Sequence, residues 1–136
     1  MAKESGLAIT TLSVDDSGGL VEAIKNDITN FSFGTPRGVQ DITGVDKSAR
    51  ETLLLLADFS ITLNGVFNDA ASPSAHDVFK TVPSTSVART TTINISGQTL
   101  PNEVNYTDYA FTRPASGELT WTAPGVLAGG VVPTWA

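Results

Sequence analysis

The chain has 136 residues, 40% of them hydrophobic and only 16% charged, with a formal net charge of −6 and no cysteine. That length suits one domain around a single core. The missing cysteines exclude a disulfide frame and a thiolate zinc site, and the acidic balance excludes a surface built to grip phosphates, though not a conduit that repels them.

The charged share lies below the roughly one quarter usual in globular proteins. Either much of the surface is covered in an assembly, or the chain is an ordinary Thr/Ser-rich β protein. The opening Met1–Gly6 has no apolar segment of the kind a secretory signal carries, and no run approaches the length of a membrane helix. Folding in the cytoplasm is therefore expected.

Thr, Ser, Val and Ile, punctuated by Gly, Pro, Asn and Asp, give the texture of an all-β domain. Leu7–Val14 is predicted as the first strand, Asp15–Gly19 as a turn and Leu20–Ile24 as a short second strand. In Ile28–Phe33, Phe31 and Phe33 share one face and Asn30 and Ser32 the other. The pattern is expected to continue to Ile42, bent or frayed where a proline and two glycines fall.

Thr43–Ser48 reads as a polar reversal, after which Glu51–Phe67 is predicted to run back as a strand, making one long hairpin. This is the most informative stretch of the chain. Its second half alternates, with Phe59, Ile61 and Leu63 on one face and Asp58, Ser60, Thr62 and Asn64 on the other. Its first half, Leu53–Leu56, is apolar on both faces, as in a strand covered by something beyond its own core.

Asn68–Ala75 is a loop leading to the one helix, with Ser72 as N-cap, Pro73 at the first helical position and Pro83 as the stop. Ala75, Val78, Phe79 and Val82 have the spacing of one buried helix face. Val87–Ser96 alternates again, Gln98–Asn102 is predicted as a turn, and Val104–Arg113 and Glu118–Ala123 are the last strands. Tyr106 and Tyr109 are expected on opposite faces. Pro124–Ala136 is Gly/Pro-rich, apolar and nearly uncharged.

Little of this pattern carries chemistry. His76 and Asp77 are helix neighbours pointing about 100° apart, so they form no dyad, and a solvent-exposed helix histidine is expected. Asp15-Asp16-Ser17-Gly18 resembles the start of a calcium loop, but the twelfth position is Asn26 and the glycine spacing is wrong, so a turn is the better reading. No phosphate loop or dinucleotide fingerprint occurs. The Asn-x-Ser/Thr triplets at Asn30, Asn94 and Asn105 fall inside predicted strands. Trp121, Trp135, Tyr106 and Tyr109 offer either a sugar-stacking platform or, more commonly for such residues, core packing. No metal or cofactor is expected, and an enzyme is the least favoured class.

Four pieces of wording then carry a resemblance: TG-x-DKSA from Thr43, LLLLADFS from Leu53, SGQTLPNEV from Ser96 and TW-x-APGVL from Thr120. From about Leu7 to Ala136 the chain resembles the major tail proteins of long-tailed, non-contractile bacteriophages, most strongly those of actinobacterial phages. The resemblance implies a β-sandwich or half-barrel of the tail-tube type with a long hairpin and one short α-helix. It implies hexameric rings stacked into a tube that houses a tape measure protein and conducts DNA, with terminator and distal tail proteins as further partners. The protein would belong to the virion tail and assemble in the host cytoplasm.

On that basis Asp58, Ser60, Thr62 and Asn64 are expected to face the lumen. Asp46, Lys47 and Arg50 at the hairpin tip, Leu54 and Leu56 on its arm, and Val131, Val132 and Trp135 near the C-terminus are expected at subunit contacts. One domain over 1–136 is expected, with a flexible segment 1–6 and a C-terminal arm 125–136 that either packs between rings or caps its own core. The rival readings are a head decoration or tail terminator protein and, after these, a carbohydrate-binding adhesin module.

Overall fold

A computed structural model describes residues 3–136. The flexibility expected of Met1 and Ala2 lies outside the described residues. The strands are β1 (Ile9–Asp15), β2 (Val21–Ala23), β3 (Ile28–Gly34), β4 (Arg37–Asp41), β5 (Thr52–Ala57), β6 (Ser60–Val66), β7 (Arg89–Ile95), β8 (Gln98–Tyr106), β9 (Ala110–Thr112) and β10 (Thr120–Leu127), with helix α1 (Ala75–Phe79) between β6 and β7. Every pairing is antiparallel. The main sheet runs β2-β1-β7-β8-β10-β6-β3, with β9 on the same side of β10 as β8, while β4 and β5 form a separate two-stranded ribbon.

The main sheet curls. β1 and β3 stand far apart in its order yet line a common cleft through Ile9, Leu12, Ile28 and Phe31. One core fills the inside, built from Leu12, Val14, Ile61, Leu63, Ile93, Leu100, Val104, Trp121 and Ala123 of the strands and Ala75, Val78 and Phe79 of the helix. The result is an all-β half-barrel with one short α-helix packed into it.

Several elements differ from their sequence expectation, each for a local reason. Ser5 caps a 3-10 turn over Gly6–Ala8, so β1 starts at Ile9. The predicted strand Glu51–Phe67 breaks at Asp58 and Phe59, and its halves lie in different sheets. The helix begins after Ser74, whose hydroxyl accepts from the Asp77 N–H, because Ser72 instead donates to Glu22. It ends at Phe79, before Pro83 is reached.

Gln98–Asn102 is strand rather than turn. The reversal is the two-residue Ser96-Gly97, with φ of 51° and 84°, which matches the twist of a tight hairpin. The stretch Val104–Arg113 is interrupted at Thr107–Tyr109, so β8 and β9 follow one another along β10. β10 runs on to Leu127, which moves Gly125–Leu127 out of the expected arm and into the sheet. Pro124 is tolerated there because its carbonyl, and so its missing N–H, faces the gap between β8 and β9, where Thr107 N–H donates to it.

Gly65 of β6 is where three elements close together. A Cβ there would stand 2.0 Å from the Asp27 carbonyl oxygen and 2.7 Å from the Trp121 ring. Backbone cannot yield that much cheaply, so Gly65→Ala should lower stability by about 2–3 kcal/mol in urea unfolding. An unchanged midpoint would show that β6 can move away from Asp27.

Candidate assembly surface

Among the described residues, the β4–β5 hairpin pairs with no other strand. Its side chains are correspondingly bare: Val39 is 58% exposed, Leu54 55% and Leu56 90%, and Leu53, Leu55 and Ile42 are also exposed. Within one chain the leucine run is therefore uncovered on both faces. A register shift lies between Arg37 and Val39, and the Arg37 guanidinium fills it by donating from Nε and Nη2 to the Leu55 carbonyl at 2.9 and 2.7 Å.

The tip is ordered by polar contacts. Asp41 Oδ1 accepts from the Thr43 N–H at 2.9 Å and from its hydroxyl at 2.6 Å, and these bonds, with Arg50 beyond them, hold the Asp41 carboxyl below its ordinary value. Lys47 pairs with Asp46 at 3.5 Å and Arg50 with Asp41 at 3.4 Å. The three predicted tip residues Asp46, Lys47 and Arg50 are thus engaged locally and exposed.

On the main sheet the alternation of β6 is realised. Phe59, Ile61 and Leu63 are at most 2% exposed, so Ser60, Thr62 and Asn64 face outward, with Asp58 exposed at the root of the hairpin. Pairing aligns Asn30 of β3, Asn64 of β6 and Thr122 of β10 in one row. Asn64 Nδ2 donates to Asn30 Oδ1 at 2.9 Å and Thr122 donates to Asn64 Oδ1 at 2.8 Å. The next row is Ser32, Thr62 and Pro124. This strip is polar, with no charged strand residue in either row.

The residues after β10 fold back on their own sheet. Ala136 and Thr99 exchange both backbone hydrogen bonds, at 2.8 and 2.9 Å, and Ala128 N–H donates to Glu103. Trp135 packs on Phe33, with ring centroids 6.2 Å apart, while Val131 and Val132 stay 72% and 63% exposed.

Several other aromatic residues pack together around the helix, although Phe111 is exposed. Trp121 and Tyr106 are buried against Phe79, and Tyr109 joins the same cluster, so the expectation that Tyr106 and Tyr109 lie on opposite sides fails because the chain leaves the strand between them. Burial pushes the Tyr109 hydroxyl up to about 12. His76 is half-buried rather than solvent-exposed, packed between Phe67 and Tyr109, with Nδ1 3.1 Å from the Tyr109 hydroxyl.

Buried polar groups went unseen in the sequence. Arg89 is 1% exposed and donates to Thr81, and burial lowers its pKa. Asp27 is buried, accepting from Asn68 Nδ2 and from the Ala75 N–H at the start of α1. Glu22 is buried too, with Oε1 accepting from Ser72 Oγ and Ser74 N–H. The available signal was parity: Glu22 alternates with Ile24, a core residue.

No protein-family model matches the sequence, and a search of curated proteins finds no match. The fold is shared with solved structures. One similar chain belongs to the virion of a native gene transfer agent particle, with a TM-score of 0.76 at 17% identity over 97% of this chain and 99% of that one. Another belongs to the tail of an empty gene transfer agent particle described with C6 symmetry, with a TM-score of 0.73 at 17% identity over 98% of each. The likeness extends over the whole domain.

The Glu22 carboxyl gives a pH test. Burial and the adjacent Asp77 carboxyl raise it from 4.5 to about 7, whereas Asp77 is lowered, chiefly by Lys80. The folded chain therefore holds the Glu22 proton more tightly than the unfolded chain. Its contribution to stability is complete below about 4.5 and is lost as pH rises through about 7. Urea unfolding should show lower stability at pH 8 than at pH 5.5, by roughly 2 kcal/mol, and Glu22→Gln should flatten the difference. A wild-type profile that is flat or rises over that range would contradict it.

Proposed function

We propose that this chain is a non-enzymatic structural subunit of a phage-like virion tail, polymerising as stacked hexameric rings into the tail tube. The observation that carries the reading is a division of surfaces within one chain. A polar, hydrogen-bonded strip covers one face of the main sheet, and a projecting hairpin leaves Leu53–Leu56 bare on both sides. The first suits a channel wall, and the second needs a neighbour. The fold shared with gene transfer agent chains, and the C6 symmetry of one such tail, support a ring of six.

In this proposal Asp58, Ser60, Thr62 and Asn64 face the lumen, where an uncharged to acidic wall holds no phosphate and lets DNA slide past a departed tape measure protein. Leu54 and Leu56 pack on an adjacent subunit, each burial being worth about 1.5–3 kcal/mol. Asp46, Lys47 and Arg50 exchange their local partners for groups on that neighbour, and Val131 and Val132 contact the next ring. Trp135 acts within its own chain as well. Terminator and distal tail proteins close the two ends, and the affinity to tails of actinobacterial phages belongs to the same proposal. An adhesin reading is disfavoured by the burial of Trp121 and Tyr106, which removes half of the stacking platform.

Two experiments test it. Electron microscopy of the purified wild-type protein should show tubes or stacked rings with a central hole. Leu54→Asp combined with Leu56→Asp should leave a folded monomer, with stability within about 0.5 kcal/mol of wild type, that forms none. Single rings that never stack would point to a terminator, and tubes unaffected by both aspartates would overturn the hairpin contact. Separately, Thr62→Trp and Asn64→Trp should permit folding but narrow the channel, so that tubes fail or DNA ejection stalls. Phage carrying both with normal titre would remove the lumen assignment.

A further inference from the structure

Three carboxylates from separate elements converge beside helix α1. Asp16 stands in the turn after β1, Glu22 in β2 and Asp77 in α1, and one ligand oxygen from each lies within 4.8 Å of the others. Glu22 is 2% exposed. Its Oε1 is engaged by Ser72 and Ser74, whereas Oε2 is fully buried with no hydrogen-bond partner among the described residues. A buried acceptor left unmatched is costly, and a second carboxylate beside it adds repulsion. Either a proton shared with the neighbouring Asp77 carboxyl or a cation belongs there.

Lys80 supplies part of that charge, with Nζ 2.9 Å from Asp77 Oδ1, but it is 52% exposed and reaches in from the solvent side. The other charged or titratable groups near the cluster are Asp15, Arg89, engaged by Thr81, and His76, held by Tyr109. None of these hydrogen-bonds Glu22 Oε2.

We propose that Asp16, Glu22 and Asp77 form a binding site for a hard divalent cation of calcium's size. The donors are all oxygen, which favours such an ion over zinc or copper. Calcium–oxygen distances of about 2.4 Å let two ligands of one ion stand up to roughly 5 Å apart, whereas magnesium demands a tighter and more regular shell. Asp16 is already oriented, since its Oδ1 accepts from the Gly18 and Leu20 N–H groups and leaves Oδ2 for the ion. Asp16 and Asp77 are only half-buried, so water reaches the remaining coordination positions. The bound ion would clamp the β1–β2 turn and the helix to one point.

The test uses the full chain, stripped with a chelator and titrated with calcium chloride by calorimetry and thermal unfolding. Wild type should bind one ion per chain and gain about 9 °C in Tm at a hundredfold excess over Kd. Asp16→Asn keeps the turn's hydrogen bonds and should abolish both signals, as should Glu22→Gln. Lys80→Met removes the competing ammonium and should tighten binding several-fold. No heat and no Tm shift at millimolar calcium overturns the site, and so does a full response retained in Asp16→Asn.

Discussion

Strand β6 is hydrogen-bonded on both sides, to β3 and to β10, and that double pairing decides both of its faces together. Side chains alternate, so once Phe59, Ile61 and Leu63 enter the core, Ser60, Thr62 and Asn64 have nowhere to go but out. A slip of one residue would exchange the two rows, burying a serine, a threonine and an asparagine with no partners. The outward row helps fix the register as well, because Asn64 is bonded to Asn30 on one side and Thr122 on the other. Gly65 then admits the Asp27 backbone, and the Asp27 side chain receives the first N–H of α1. Core, polar strip and helix position thus depend on one strand.

The hairpin is what that arrangement leaves over. β5 precedes β6 in sequence, but the chain turns out of the sheet at Asp58, and beyond that point the leucines have no core to enter. Exposed apolar residues scattered singly are ordinary; a run that is bare on both faces of a ribbon is a contiguous apolar patch that its own fold leaves uncovered. The edge-strand hazard usually managed by charge or proline appears here in a managed form, with Pro36 at the root and two ion pairs at the tip.

Much of this was legible in the sequence, for reasons that also explain the failures. Alternation in Ser60–Val66 identifies a strand and its buried row, because period two follows from backbone geometry alone. It does not say which sheet a strand joins, so the break at Asp58 was hidden inside an unbroken hydrophobic pattern. Pro101 and Asn102 read as a turn. In the fold Pro101 aligns with Thr92, and its missing N–H points to the side where the last residues bulge away between Ala128 and Ala136. The carboxylate cluster was the hardest to see. Glu22 shows its core-facing parity, but the serine that bonds it lies 50 residues away, and Asp77 arrives on a helix whose start was misplaced by two residues.

The Arg37 guanidinium at the root of the hairpin has a geometric meaning beyond satisfying one carbonyl. The ribbon from Arg37 to Ile42 spans roughly 20 Å at strand rise, so it is a lever whose fulcrum is the bulge that Arg37 fills. A change of about 10° at the fulcrum swings the tip by roughly 3 Å, more than half the spacing between neighbouring strands. Lysine could supply the charge there but not the two-pronged grip. The pitch of the whole ribbon is therefore written at its base, beside the leucines it leaves exposed.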